Sequence, residues 1–137
     1  MTQISKRKLD SETYKYTIES LTHILKQINS YPEMDEFLNS ALSDTERLMI
    51  SKRITVAFLL KHGVEEATIS KIIKVTPATI SRLKLWIKIR QKGFDIVFEK
   101  LEKERKVSMA KDLLYKLLNY ALNAAAGRSP ELFKKTY

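Results

Sequence analysis

Apolar residues along this chain recur at spacings of three and four, the period of amphipathic helices. Tyr14, Ile18, Leu21, Leu25 and Ile28 predict a helix from about Glu12 to Asn29, which Tyr31-Pro32 ends. Glu33 to Leu42 reads as a short helix with Met34, Phe37 and Leu38 on its apolar side and its acidic residues at the end that favours them. Ser43-Asp44-Thr45-Glu46 is a capping box that opens a longer helix to about His62, with Gly63 as a left-handed stop. Leu48, Ile50, Ile54, Ala57, Phe58 and Leu60 are its expected buried positions.

A change of rhythm follows. Ala67 to Lys74 carries Ile69, Ile72 and Ile73, a short helix interrupted at Lys74-Val75-Thr76. Thr76 is suited to cap the next helix and Pro77 to fill its first position, after which Ile80, Leu83 and Ile87 mark the buried side. Two short helices joined by a tight turn are the pattern of a helix-turn-helix. Gly93 allows a break before Phe94, Val97, Phe98 and Leu101, whose helix runs into the charged block Glu102 to Lys106. From Ser108 to Ala126, Leu113, Leu114, Leu117, Leu118, Ala121, Leu122 and Ala125 form a broad apolar face ended by Gly127, and Pro130 is placed to start a last turn.

Composition agrees with an all-α fold of multiple helices. Glycine (3), proline (3) and cysteine (0) are scarce among 137 residues. The expected organisation is a basic N-terminal arm (1–11), a helix-turn-helix domain (12–92), a C-terminal helical extension (93–127) and a tail (128–137). A chain of this length buries roughly 68% of its unfolded surface on folding, enough for one core. Without cysteine there is no disulfide framework and no thiolate metal site. The start of the chain lacks the apolar stretch of a signal peptide, and no apolar run approaches the ~18 residues of a membrane span, so a cytoplasmic protein with no membrane partner is expected.

Charge narrows the function. A net charge of +9 calls for a polyanionic partner, nucleic acid or an anionic membrane surface. Between Lys26 and Arg47 lie five acidic residues and no basic one, whereas from Ala67 to Lys92 the chain carries seven basic residues, Lys71, Lys74, Arg82, Lys84, Lys88, Arg90 and Lys92, and no acidic one. The footprint therefore falls on the helix-turn-helix, and the expected partner is double-stranded DNA. Pro77, Ala78, Ser81 and Arg82 share the outward side of the second helix, with Thr79 and Lys84 flanking. Small, hydroxyl and cationic groups of this kind suit base edges and phosphates. Lys71, Lys74, Arg82, Lys84 and Lys88 are the expected phosphate contacts, and Thr76 sits at the helix start beside them. Lys74 occupies a turn position where glycine is common, at a cost of about 1 kcal/mol if the backbone is left-handed there.

Ala78-Thr79-Ile80-Ser81-Arg82 resembles the start of the reading helix in the Trp repressor superfamily, including its members without an assigned ligand. Leu42-Ser43, Glu46-Arg47, Arg53 and Gly63 resemble that family's preceding helix, and the likeness covers about Tyr31 to Ile89. The resemblance implies an intertwined helical homodimer whose two reading heads meet successive major grooves of a near-palindromic site. It implies base contacts from Pro77, Ala78 and Ser81, which need not be direct because water can mediate them, and Thr79 near phosphate. It also implies an effector site at Ser43, Arg53 and Arg82, the two arginines flanking the ligand. Leu83 stands where the family has glycine beside that slot, and its branched side chain argues against tryptophan as the effector.

Blander readings compete at several positions. A basic helix pair also serves as a solvated surface, and the chain could be a helical protein-interaction module with a basic face, or a DNA-binding helper in recombination or replication. His23 and His62 read as structural or exposed, Glu33, Asp35 and Glu36 as a solvated helix start, Trp86 as a core or dimer residue, and Arg53 and Arg82 equally as surface ion pairs. No phosphate-binding glycine loop, cysteine nucleophile, histidine cluster or Ser-His-Asp arrangement is present, so no enzyme, cofactor or metal is expected.

Overall fold

The computed structural model describes residues 7–104 and 108–127, and all of their regular structure is helical. Seven helices follow in order: α1 Ser11–Gln27, α2 Tyr31–Ala41, α3 Asp44–Lys61, α4 Glu66–Ile73, α5 Pro77–Ile89, α6 Gln91–Lys103 and α7 Met109–Ala125. The first residues of the expected N-terminal arm, the end of the charged block at Arg105 and Lys106, and the tail with Pro130 lie outside the described residues. The chain divides into two compact units, Met1–Met49 and Ile50–Tyr137.

In the first unit each helix start is fixed by a side chain. The Asp10 carboxylate accepts from the Thr13 N–H, which holds its pKa below the usual aspartate value. Ser30 caps α2, and Pro32 falls in the first turn of that helix, where the missing N–H costs nothing. Tyr31-Pro32 thus begins α2 instead of ending α1, which stops earlier, at Gln27. The capping box is present: Glu46 N–H donates to Ser43 Oγ at 3.2 Å, and Ser43 N–H donates to Glu46 Oε2 at 2.8 Å, lowering the Glu46 pKa. Arg47 bonds Asp35 at 2.6 Å and also Asn39, tying the start of α3 to α2. Nothing in α1 or α2 is buried, and Tyr14, Ile18 and Leu21 are more than half exposed.

The second unit holds the core. Val56, Ala57, Phe58 and Leu59 are four consecutive buried residues of α3, joined by Ile69 of α4, Ile80 of α5, Phe98 of α6, and Leu118 and Ala121 of α7. A helix enclosed on several sides buries successive residues, which a one-stripe pattern does not reveal. The stripe expected along α3 is accordingly half wrong: Ala57, Phe58 and Leu60 pack in the core region, but Leu48, Ile50 and Ile54 are exposed. Gly63 ends α3 at φ 77, with Val64 N–H reaching Leu59 O and Gly63 N–H reaching Leu60 O, the paired bonds of a Schellman motif. The break between α5 and α6 falls at Arg90, ahead of Gly93, which lies inside α6 with open space around it. α7 packs on α4 and α6. Of its predicted apolar face Leu118 and Ala121 are buried while Leu113 and Leu122 remain exposed.

Candidate DNA-reading interface

The turn between α4 and α5 is built as the residues predict. Lys74 adopts φ 58 and ψ 52, a left-handed backbone on a non-glycine residue, costing about 1 kcal/mol. Three contacts hold it there. The Lys74 N–H donates to Ser70 O, the Val75 N–H donates to the same carbonyl at 3.2 Å, and the Ser70 hydroxyl donates to Val75 O. Ser70 is therefore a hydrogen-bonding residue of the turn as well as a small one. From α3, the Lys52 ammonium reaches Lys74 O at 3.4 Å, a support that the sequence reading did not identify.

Thr76 then caps α5: its Oγ accepts from the Thr79 N–H at 3.2 Å and lies 2.9 Å from the Thr79 hydroxyl. Pro77 occupies the first turn, and that turn contains no acidic residue. The positive dipole end of the helix favours a phosphate there. Ile80 is fully buried, so the helix is locked with one face inward. Thr76, Pro77, Ala78, Ser81, Arg82, Lys84 and Lys88 are left exposed, as are Lys71 and Lys74 beside them, while Thr79 is half-buried. The side chains expected at DNA are thus brought out on one helix pair.

One of these cations has a competitor. The Lys84 ammonium lies 2.7 Å from Glu66 Oε1, an acid one residue before the acid-free stretch that begins at Ala67. The pair is exposed and worth at most about 1 kcal/mol, so a phosphate can displace it. A window drawn one residue wider would have found it.

Two of the three residues expected at an effector site have other partners. Ser43 is engaged in the capping box of α3. The Arg53 guanidinium lies over the Trp86 ring, 4.5 Å from its centroid, and Arg90 covers the same indole at 5.1 Å. The edge of Trp86 meets Phe94, with ring centroids 6.1 Å apart. The Arg53 Nε is buried with no hydrogen-bond partner among the described residues, so its orientation follows from the stacking. Sequence reasoning placed Trp86 only as a core or dimer residue, although Arg90 lies four residues on, the spacing that puts two side chains on one helix face. Arg82 is exposed, and Leu83 packs against the core.

The Tyr115 hydroxyl donates to Glu102 Oε1 at 2.6 Å, lowering the pKa of Glu102 and raising that of Tyr115. His62 Nε2 lies 3.8 Å from the same carboxylate oxygen, and its Nδ1 lies 2.9 Å from Phe58 O. This cluster fastens α7 to α3 and α6. Among the described residues no group of His, Cys, Asp and Glu could hold a metal ion, and no helix is long and apolar enough to cross a membrane.

No curated protein and no solved structure matches the chain. Residues 16–102 match the family described as Trp repressor protein, a span that extends beyond Tyr31 to Ile89 into α1 on one side and α6 on the other. With well over half of its length matched, the chain belongs to the Trp repressor family of helix-turn-helix DNA-binding regulators.

Proposed function

We propose that this protein is a cytoplasmic, homodimeric transcriptional regulator that binds a specific, near-palindromic DNA site and acts by occupying a promoter. The observation that carries the reading is the exposed row Pro77, Ala78, Ser81 and Arg82 on α5, whose first turn is free of acid and whose other face is anchored by buried Ile80. Pro77, Ala78 and Ser81 face base edges, Thr76 and Thr79 lie near the phosphate at the helix start, and Lys71, Lys74, Arg82, Lys84 and Lys88 neutralise the backbone. Dimerisation is supported by the apolar face of α1, where Tyr14, Ile18 and Leu21 are exposed in the single chain. The stack of Trp86 on Arg53 supports a regulator that needs no tryptophan, because an aromatic side chain of the protein already covers that guanidinium.

Arg82→Ala tests the assignment. We expect roughly tenfold weaker binding to duplex DNA, about 1.4 kcal/mol, and a plot of log affinity against log salt that is shallower by about 0.9. Lys84→Ala should cost less, because Glu66 already holds that ammonium in the free protein. Fluorescence anisotropy across a salt series reads both quantities. Unchanged affinity and slope for both variants would remove α5 from the interface.

A further inference from the structure

Next to the Arg53–Trp86 stack, whose indole meets Phe94, α3, α5 and α6 flank an open cavity of about 270 Å³. Its floor is apolar, formed chiefly by Leu60, Ile87, Phe94 and Phe98. Its rim carries Lys61, Lys84 and Lys88 against one acid, Asp95. Lys61 is held loosely, 3.7 Å from Asp95 and 5.7 Å from the centre of the Phe98 ring, so its ammonium is drawn across the floor. Lys84 is paired with Glu66, and Lys88 has no carboxylate partner among the described residues. An apolar floor under an unbalanced cationic rim favours a ligand with a flat apolar body and one anionic end. The volume lies near the lower end of the roughly 300–1,000 Å³ of ligand pockets, which suits a compact molecule.

We propose that this cavity binds a small aromatic carboxylate, and that its occupation weakens DNA binding. The aromatic body rests on Phe94 and Phe98, and the carboxylate meets Lys88 and Lys61 at the rim. The coupling follows from shared charges: Lys84 and Lys88 belong to the reading helix and are assigned to phosphate in the function proposed above. A carboxylate on Lys88 competes with phosphate for that ammonium and adds a negative charge beside Lys84 on the same helix. Only this coupling rests on the DNA-binding reading; uptake of the ligand does not.

The probe is 2-naphthoate, with neutral 2-naphthalenemethanol as its control, titrated calorimetrically into the full chain without DNA. We expect saturable naphthoate binding, at least fivefold weaker binding of the alcohol, and a loss of roughly fivefold in naphthoate affinity in Lys61→Gln, a surface change outside the reading helix. Leu60→Trp, which fills the cavity, should abolish binding; thermal melting checks that this variant folds, and Lys61→Gln carries the test if it does not. At fixed ionic strength, saturating naphthoate should then lower DNA affinity at least threefold in the unmodified protein and leave it unchanged in the filled variant. Absence of saturable binding, equal binding of the alcohol, or indifference to Lys61→Gln would overturn the site. The same holds if naphthoate is excluded because a second copy of the chain covers the cavity. Binding with no effect on a DNA affinity that is itself measurable would overturn the coupling, whereas absence of any DNA binding would overturn the proposed function and leave the site standing.

Discussion

Replacing Ile80 with alanine is expected to lower the unfolding free energy by about 3 kcal/mol, the middle of the range for truncating a buried isoleucine. Ile80 is fully buried, as are Leu59, Ile69 and Val56, the other large side chains at the centre of the core. Deleting its outer carbons removes apolar contacts and leaves a void that the close-packed neighbours fill only in part. Against a total stability of roughly 5–15 kcal/mol, that is a large share. Urea denaturation should show a lower midpoint with an unchanged slope, while Ser81→Ala, one residue along and exposed, should stay within about 0.5 kcal/mol. The functional consequence comes through the same residue. Ile80 fixes which face of α5 looks outward, so the variant should also bind DNA more weakly without having lost any group that touches it. A cost below about 1 kcal/mol would mean that α5 is not anchored where the core places it.

Leu21→Asp is expected to turn a dimer into a folded monomer. Leu21 is 52% exposed in the single chain, so a carboxylate there costs the isolated protein little. On a face buried between two copies, the same carboxylate is desolvated without a partner, a penalty of several kcal/mol. A stable dimer buries about 1,200–2,000 Å² in all, and the exposed Tyr14, Ile18 and Leu21 provide an apolar strip for part of it. Sedimentation equilibrium should give twice the chain mass for the parent and the chain mass for the variant, with circular dichroism showing helix content retained. Two linked reading heads gain roughly 10²–10⁴ in avidity over one, so affinity for a two-half-site duplex should fall by about that factor. A variant that remains dimeric would show that α1 does not lie in the interface.

The helix order was largely legible in the residues, because caps and stops are local chemistry. Ser43 with Glu46, Gly63, and Thr76 with Pro77 each act through bonds to backbone within a few residues, and each appears where the sequence places it. Lys74 was legible too, since a turn of that length needs a left-handed residue whatever its side chain. Burial was harder to read. The apolar period of α1 and early α3 identifies helices, but it cannot say what covers them, and in the single chain Tyr14, Ile18, Leu21, Leu48, Ile50 and Ile54 are uncovered. Charge partners between helices were missed for a similar reason: Glu66 and Lys84 are eighteen positions apart, and only the packing of α4 on α5 brings them within 2.7 Å. The Arg53–Trp86 stack has the same origin, because half of it lies on α3 and half on α5.

That stack also bears on regulation. The stack of the Arg53 guanidinium on the Trp86 indole joins α3 to α5 by a contact worth about 0.5–2 kcal/mol, and Arg90, at the end of α5, adds a second cation over the same ring. Such contacts stiffen the seat of the reading helix in the absence of any ligand.

In the proposed function the α4–α5 pair reads a DNA sequence as part of a symmetric dimer. Selection of bound duplexes from a random pool, at a salt concentration where non-specific binding is weak, tests it most directly. Enrichment is expected of a motif with two inverted half-sites whose centres lie about one helical turn apart, or a multiple of that. Recovery of an unenriched pool after repeated rounds would contradict it.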